Sequence, residues 1–167
     1  ADKLAEARHV SVFCDYDGTL TPIAPKPELA ELSPEVRTLL NALAEKPHFT
    51  VAIVSGRSLK DIKDKVRVAG LVYAGNHGLE VEGVGLEFTH PVALKARPII
   101  QDLYRSLGEA LEAIEGVVME NKGLTLSVHY RLVEPSEVSR VDGVIASVVG
   151  PLEQQGKMRL TLGKKVF

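Results

Sequence analysis

Three short apolar segments, each running directly into a polar turn, constrain the fold of this chain more than any other feature. Residues 9–14 (HVSVFC) run into DYDGT, residues 49–54 (FTVAIV) into SGR, and residues 71–74 (LVYA) into GNHG. Segments of this length, rich in β-branched and aromatic residues, predict buried strands. Helical patterns separate them, which favours a parallel α/β sheet. Parallel strands end at one edge of a sheet, where such sheets bind ligands.

Capping signals mark the helices between these strands. Ser33 followed by Pro34 predicts the start of a helix, and an apolar stripe at helical spacing follows. Ser58 predicts the cap of a second, shorter helix. Residues 79–88 predict a β-hairpin that turns at two glycines.

The second half of the chain has a different pattern, typical of an α+β unit. We predict these elements in order: a long amphipathic helix with apolar residues from Ile99 to Ile114, paired strands at residues 117–119 and 124–130, a helix at Ser136–Gln155 and a strand at Met158–Leu162. No low-complexity linker divides the chain. We therefore expect a sheet core at residues 1–90, an inserted α+β cap at 91–163, and a return towards the core at 164–167.

Composition excludes several classes of protein. The 167 residues include a single cysteine, Cys14, so an internal disulfide framework is excluded. The net charge of -2 argues against a nucleic-acid partner. No apolar run approaches the ~18–20 residues of a membrane span, and residues 1–10 lack the order of a signal peptide. We expect a cytoplasmic protein with no membrane partner.

Asp15 and Asp17 follow the first strand two residues apart. Two carboxylates at this spacing suit a hard cation with oxygen ligands such as Mg²⁺, which would keep one of them ionised as a nucleophile while the other acts as general acid/base. A bare pair of this kind is also common in turns without function. An EF-hand loop is excluded because its later ligands are missing.

The second strand ends in Ser55, Gly56 and Arg57, at the start of a helix. Amide groups at a helix start, with a hydroxyl beside them, form an anion site, and an arginine suits phosphate. The alternative interpretation is a helix cap with a surface arginine that braces the loop.

The string DYDGTL at the end of a strand resembles the first motif of the haloacid dehalogenase (HAD) superfamily of phosphotransferases, and Ser55 stands where the second motif places a Ser or Thr. The ordered set DYDGTLTPI, VSGRS, GNHGLE, ENKGLTLSVHYR and GKKVF resembles the trehalose-6-phosphate phosphatase family. The resemblance runs from about Val10 to the end of the chain. It implies a HAD-like Rossmannoid parallel sheet core with an inserted α+β cap.

The resemblance also implies residue roles. Asp15 would attack phosphorus and become an aspartyl-phosphate. Asp17 would protonate the leaving sugar oxygen and then activate water. Mg²⁺ would bind the Asp15 side chain and the Asp17 backbone carbonyl, and Ser55 would hold a phosphate oxygen. Asn76 and His77 would line the same crevice, although GNHG by itself is also typical of a simple turn.

Further residues match family positions that hydrogen-bond glucose hydroxyls or reach the phosphate: Glu120, Lys122, Arg131 and Lys164. Charged groups suit dense hydroxyls because each makes several directional hydrogen bonds. The alternative is an exposed charged hairpin that supports solubility. His129 lies on the same face of its strand as Arg131, where packing is an alternative role.

The resemblance implies two later motifs, a lysine and an acidic run of the GDDxxD type, which follow GKKVFE in the family. Neither is found before Phe167. We therefore expect a longer protein whose last core strands are missing here, and weak Mg²⁺ binding with little turnover from these residues alone.

The leading functional hypothesis is Mg²⁺-dependent hydrolysis of trehalose 6-phosphate. One alternative is a phosphatase for another sugar phosphate. The other is a non-catalytic sugar-phosphate-binding domain of a synthase, and a synthase fused to or associated with the protein is the expected macromolecular partner.

Overall fold

The computed structural model describes residues 7–24, 26–163 and 165–167. It divides into two compact units, Ala1–His90 and Pro91–Phe167, each with a hydrophobic core of its own. We describe each unit by itself.

The first unit contains a five-stranded sheet with the order β1-β2-β3-β4-β5. Its strands are β1 (Val10–Asp15), β2 (Phe49–Val54), β3 (Val72–Gly75), β4 (Glu80–Gly83) and β5 (Leu86–Thr89). The first three strands are parallel, whereas β4 and β5 form an antiparallel hairpin beside β3. The predicted parallel α/β sheet is therefore confirmed, with an antiparallel edge.

Helices α1 (Pro34–Ala44) and α2 (Leu59–Val66) connect the parallel strands. Both begin as their caps predict, because the Ser33 hydroxyl accepts from the Val36 N–H at 3.3 Å and the Ser58 hydroxyl accepts from the Asp61 N–H at 3.2 Å. The apolar faces of both helices pack on the sheet around Leu40, Val51, Ile53, Ile62, Val66 and Tyr73. Each fully buried side chain of this size contributes about 1.5–3 kcal/mol.

Strand β1 is less buried than the sequence predicts. Residues 9–14 predict a strand buried on both faces, but Ser11, Phe13 and Asp15 are exposed and the Phe13 side chain is 73% accessible. The core covers one face of this strand. Val12 and Cys14 pack against it, whereas Ser11 and Phe13 alternate with them and lie on the opposite face.

The second unit contains helices α3 (Pro91–Leu111) and α4 (Val138–Gln154) and a hairpin of β6 (Val118–Asn121) and β7 (Leu126–His129). The hairpin and both helices are confirmed. Helix α3 stops before the predicted limit, and Ile114 is buried in the turn that follows. Helix α4 continues through two glycines and Pro151.

The predicted strand at Met158–Leu162 is wrong, since these residues adopt no regular secondary structure. Met158 and Leu160 still pack on the core of the second unit, so the alternating pattern reflects burial without strand pairing.

Residues 165–167 pair with the edge of β7, where the Val128 and Phe167 backbones exchange two hydrogen bonds of 3.0 Å. These residues, expected to return towards the core, thus lie in the second unit. Lys164 lies outside the described residues.

No described helix is both long and apolar enough to cross a membrane.

Candidate active site

The polar ends of β1, β2 and β3 are brought together by strand register. Asp15 lies opposite Val54, and Val54 lies opposite Ala74. The three polar turns therefore begin at the same level of the sheet, as the sequence predicts. The Ser55 N–H donates to the Ala74 carbonyl at 2.9 Å, which extends this register by one step beyond β2.

The turn after β1 presents two exposed carboxylates, those of Asp15 and Asp17. The Thr19 hydroxyl donates to Asp15 Oδ2 at 3.2 Å. Gly18 has φ +93°, a conformation that side chains rarely tolerate, and its N–H closes the turn on the Thr21 carbonyl at 2.8 Å. Tyr16 is fully buried between the two aspartates and anchors the turn in the core.

Arg57 belongs to the turn after β2, and its side chain contacts Asp17, the second aspartate. Its Nε and Nη2 groups donate to the two oxygens of Asp17 at 2.8 and 2.7 Å, a bidentate ion pair. Its Nη1 group donates to Asp61 at 2.7 Å, and Nη2 also donates to the Pro27 carbonyl at 2.8 Å. The guanidinium carbon lies 5.4 Å from the centre of the Tyr16 ring, within the range of a cation–π contact.

Burial opposes the charge on Arg57, but the hydrogen bonds that it donates to Asp17 and Asp61 outweigh burial and raise the pKa of Arg57 above its ordinary value. The guanidinium is therefore a permanent cation at this edge of the sheet. The sequence predicted Arg57 as a phosphate ligand. In the structure its side chain is only 7% exposed and pairs with two carboxylates.

Ser55 is buried, and its hydroxyl oxygen accepts from the Arg57 N–H at 3.1 Å. Accepting a hydrogen bond leaves the hydroxyl proton available as a donor. Gly56, between these two residues, is half-buried and lies against the His77 ring, since a Cβ at Gly56 would stand 2.5 Å from His77 Cε1. A larger residue than glycine would therefore displace that ring.

The turn after β3 holds Asn76 and His77 in the left-handed region, with φ of 49° and 57°. Two backbone hydrogen bonds tie it to the turn after β2, from the Asn76 N–H to the Arg57 carbonyl at 2.7 Å and from the His77 N–H to the Ser55 carbonyl at 3.0 Å. His77 is exposed, whereas Asn76 is fully buried and donates to Glu80 Oε2 at 2.8 Å. Asn76 and His77 therefore both lie at the edge of the sheet where the polar turns meet, one buried and the other exposed.

Gly75 allows this turn to approach α2 closely. A Cβ at Gly75 would stand 2.4 Å from the Leu59 N atom and 2.6 Å from Leu59 Cα, distances that backbone atoms cannot accommodate without moving. Its φ of -99° is open to any residue, so glycine is required by space alone.

Sequence reasoning missed two residues of this site, Asp61 and Glu80. Asp61 contacts Arg57 across one helical turn, and this i,i+4 spacing of opposite charges was a usable signal. Glu80 is one residue of the predicted hairpin, and nothing in its local pattern indicates that its carboxylate reaches Asn76 and the Leu59 N–H.

Three of the residues predicted to bind sugar, Glu120, Lys122 and Arg131, lie in the second unit. The first two form a charged group with His129 on the β6–β7 hairpin. Glu120 Oε2 lies 3.5 Å from Lys122 Nζ and 3.5 Å from His129 Nε2. Burial by itself would raise the pKa of Glu120, but His129 and Lys122 hold it below its ordinary value. The Lys122 side chain is 11% exposed, so the solubility interpretation of this pair is weakened. Arg131 follows β7 and is exposed.

The described residues contain no group of three or more His, Cys, Asp or Glu side chains that could hold a metal ion. Mg²⁺ often keeps several waters and binds one or two carboxylates together with substrate phosphate. The exposed Asp15 carboxylate fits such a water-rich site. The Asp17 carboxylate fits it less well, because both of its oxygens accept from Arg57.

Comparisons with known proteins agree on one family. The family model described as trehalose-phosphatase matches residues 13–167. The chain is 36% identical to a probable trehalose-phosphate phosphatase 3 of Oryza sativa subsp. japonica, over 98% of this chain and 47% of that protein. It is 35% identical to a trehalose-phosphate phosphatase of Mycobacterium bovis, over 96% of this chain and 40% of that protein. The chain therefore spans about half the length of the curated relatives that it matches.

A solved structure described as a trehalose-6-phosphate phosphatase related protein resembles this chain with a TM-score of 0.83 at 21% identity, over 94% of this chain and 66% of that one. The C-terminal domain of the Candida albicans trehalose-6-phosphate phosphatase resembles it with a TM-score of 0.79 at 20% identity, over 99% of this chain and 58% of that one. At these identities the structures show a shared fold, and they confirm the expected HAD-like architecture.

Proposed function

The chain belongs to the trehalose-phosphatase family, and on this premise we propose that the whole protein hydrolyses trehalose 6-phosphate to trehalose and inorganic phosphate. The observation that carries the proposal is the pair of exposed carboxylates, Asp15 and Asp17, in register with the Ser55 turn. A protein that only bound a sugar phosphate would gain nothing from a carboxylate there, because two anions repel.

In the proposed reaction, a carboxylate oxygen of Asp15 attacks phosphorus and the bond from phosphorus to the sugar oxygen breaks. Asp17 gives its proton to that departing oxygen. Water then attacks the phosphorus of the aspartyl-phosphate, Asp17 takes a proton from the water, and the bond to Asp15 breaks to release phosphate. Both reacting carboxylates, those of Asp15 and Asp17, stand at the end of β1.

The residues around Asp15 and Asp17 would bind the substrate and its phosphate group. Ser55 and Gly56 stand at the turn into α2, where backbone N–H groups and a hydroxyl suit phosphate oxygens. His77 is exposed beside them and is a candidate substrate contact, whereas buried Asn76 would act by holding this turn in shape. Mg²⁺, held by Asp15 and the Asp17 carbonyl, would offset repulsion between the carboxylate and the phosphate.

Sugar recognition is proposed for the second unit. We assign residues 1–90 to the core and residues 91–163 to the cap. The sugar-binding candidates are Glu120, Lys122, Arg131 and Lys164. Glu120 and Lys122 support this assignment because they lie on one hairpin and bring a carboxylate and an ammonium group to 3.5 Å of each other. Such a pair offers both acceptors and donors to sugar hydroxyls.

Replacement of Asp15 by asparagine in the whole protein tests the proposal. We expect release of phosphate from trehalose 6-phosphate to fall by at least about a thousandfold, because an amide is no nucleophile. Asp142→Asn, which neutralises an exposed carboxylate on α4, is the matched control and should leave turnover unchanged. Rapid acid quenching with labelled substrate should trap phosphate on the parent protein and none on the Asp15→Asn variant.

The same assay separates the alternatives. A panel of sugar phosphates identifies a different substrate if another is hydrolysed faster than trehalose 6-phosphate. Binding of trehalose 6-phosphate without turnover, with Mg²⁺ present, would favour a non-catalytic domain. Removal of divalent ions by a chelator should stop turnover, and added Mg²⁺ should restore it. Association with a synthase is a separate proposal, which co-purification of the two activities tests.

A further inference from the structure

The guanidinium group of Arg57 is already committed to protein partners. A guanidinium carries five N–H donors, and the four hydrogen bonds to Asp17, Asp61 and Pro27 leave at most one of them. Its side chain is 7% exposed. An arginine that binds phosphate well presents two parallel N–H groups to the ligand. Arg57 presents such a pair to the Asp17 carboxylate.

Asp17 needs a partner of this kind to have one defined position. Its side chain is 43% exposed and sits on a turn beyond the sheet. An exposed carboxylate with no fixed partner samples several rotamers, whereas proton transfer requires it within hydrogen-bond reach of one oxygen. Bidentate pairing with a planar group fixes both the position and the plane of the carboxylate.

Arg57 is in turn fixed from several directions. The Asp61 carboxylate holds Nη1 from the first turn of α2, the Pro27 carbonyl holds Nη2, and the Tyr16 ring lies beneath the guanidinium. The Ser55 hydroxyl holds the Arg57 backbone N–H. A long side chain so restrained loses little further freedom when it holds Asp17.

We propose that Arg57 is a positioning residue for Asp17, and that Asp61 positions Arg57 in the same way. The inference deepens the proposed function and rests on it, because it concerns the step described above in which Asp17, as a carboxylate, takes a proton from water. It replaces the expectation that Arg57 binds the substrate phosphate. Ser55 and Gly56 remain the phosphate ligands at this turn.

A double-mutant cycle in the whole protein separates the two roles of Arg57. We expect Arg57→Ala to lower kcat about 10- to 100-fold, part of the roughly 10²–10⁴ that a general acid/base contributes, with KM changed less than about threefold. Combined with Asp17→Asn, it should have almost no further effect, because residues that act through one group are non-additive. Arg57→Lys should restore part of kcat.

Asp61→Asn provides a second variant that preserves shape, in case Arg57→Ala fails to fold. We expect a smaller loss of kcat, about 3- to 10-fold, since Arg57 keeps its other partners. Arg140→Ala is the matched control, because Arg140 also pairs with a carboxylate, Glu137, but on the exposed surface of α4. It should leave kcat unchanged.

Nuclear magnetic resonance of the whole protein tests the contact without turnover. We expect the Arg57 Nε–H to exchange slowly with water and the Arg140 Nε–H to exchange fast. Addition of inorganic phosphate with Mg²⁺ should shift the Ser55 and Gly56 amide signals and leave the Arg57 Nε signal in place.

Three results would overturn the inference: a rise in KM with kcat preserved in Arg57→Ala, additive losses in the double mutant, or a phosphate-dependent shift of the Arg57 Nε signal. Failure of the proposed function looks different, because the parent protein would then hydrolyse no sugar phosphate at all. A parent protein that turns over while Arg57→Ala and Asp61→Asn behave like it refutes the positioning role alone.

Discussion

Replacement of Gly75 by alanine tests how tightly the turn after β3 is fitted against helix α2. The added Cβ would stand 2.4 Å from the Leu59 N atom, and ordinary contact begins near 3.4 Å, so the two backbones must separate by about 1.0 Å. Alanine tolerates the observed φ of -99°, so no backbone strain is added. Any loss of stability therefore reports the steric contact.

The expected loss of unfolding free energy follows from the hydrogen bonds that cross this junction. Hydrogen bonds of 2.7 and 3.0 Å join the turn after β3 to the turn after β2, from Asn76 to Arg57 and from His77 to Ser55. A separation of about 1.0 Å would break both, at about 0.5–1.5 kcal/mol each, and overpacking costs a further 1–3 kcal/mol. Movement relieves part of the overpacking, so we expect a total loss of about 2–4 kcal/mol.

Hydrogen exchange shows which of the two units loses stability. The amides of β2 should show a fall of about 2–4 kcal/mol in their opening free energy, while those of α4 in the second unit should be unchanged. Gly108→Ala is the matched control, because Gly108 is an exposed residue of α3 and a Cβ there meets no atom within 4 Å. It should stabilise its own unit by about 0.5–1 kcal/mol. A Gly75→Ala protein within about 0.5 kcal/mol of the parent would refute the reasoning.

Two further predictions concern charged groups. The depressed pKa of Glu120 stabilises the folded state above the ordinary value of 4.5, and this contribution is lost as pH falls through the lower folded pKa. Thermal unfolding followed downwards from neutral pH should therefore show an acid-induced loss that Glu120→Gln flattens; an identical profile in the variant would contradict this assignment. Arg37 donates to the Val66 and Lys65 carbonyls at 3.0 and 3.2 Å and so caps the C-terminus of α2. Arg37→Ala should lower the unfolding free energy by about 1–2 kcal/mol in urea titration, whereas Lys60→Ala, which removes an exposed surface pair, should change it little.

Local signals predicted most of the secondary structure and the parallel pairing of the first three strands. Ser33 and Ser58 cap their helices as expected, because a side-chain oxygen at that position satisfies an N–H group that the helix cannot. The polar turns lie in register because parallel strands of similar length end together. These features depend on neighbours in sequence or on simple rules of strand pairing.

The errors concern contacts between distant segments. The pairing of Arg57 with Asp17 was not predicted, because an arginine at a helix start suits any anion and Asp17 lies 40 residues away. The exposure of Phe13 depends on which face of β1 is covered by packing, and an apolar run does not encode that. Residues 158–162 show the same limit, since alternation records which side chains are buried and not whether the backbone finds a partner strand.

The Arg57 contacts also have an evolutionary consequence. One guanidinium joins Asp17, Asp61 and the Pro27 carbonyl, so positions 17, 57 and 61 form a single set of one cation and two anions. Loss of the arginine alone leaves two carboxylates without the cation that they share, and loss of Asp61 alone leaves the cation with a single acidic partner. Substitutions at these positions should therefore be correlated among homologues, and an alignment would reveal the network as covariation between the turn after β1 and the first turns of α2.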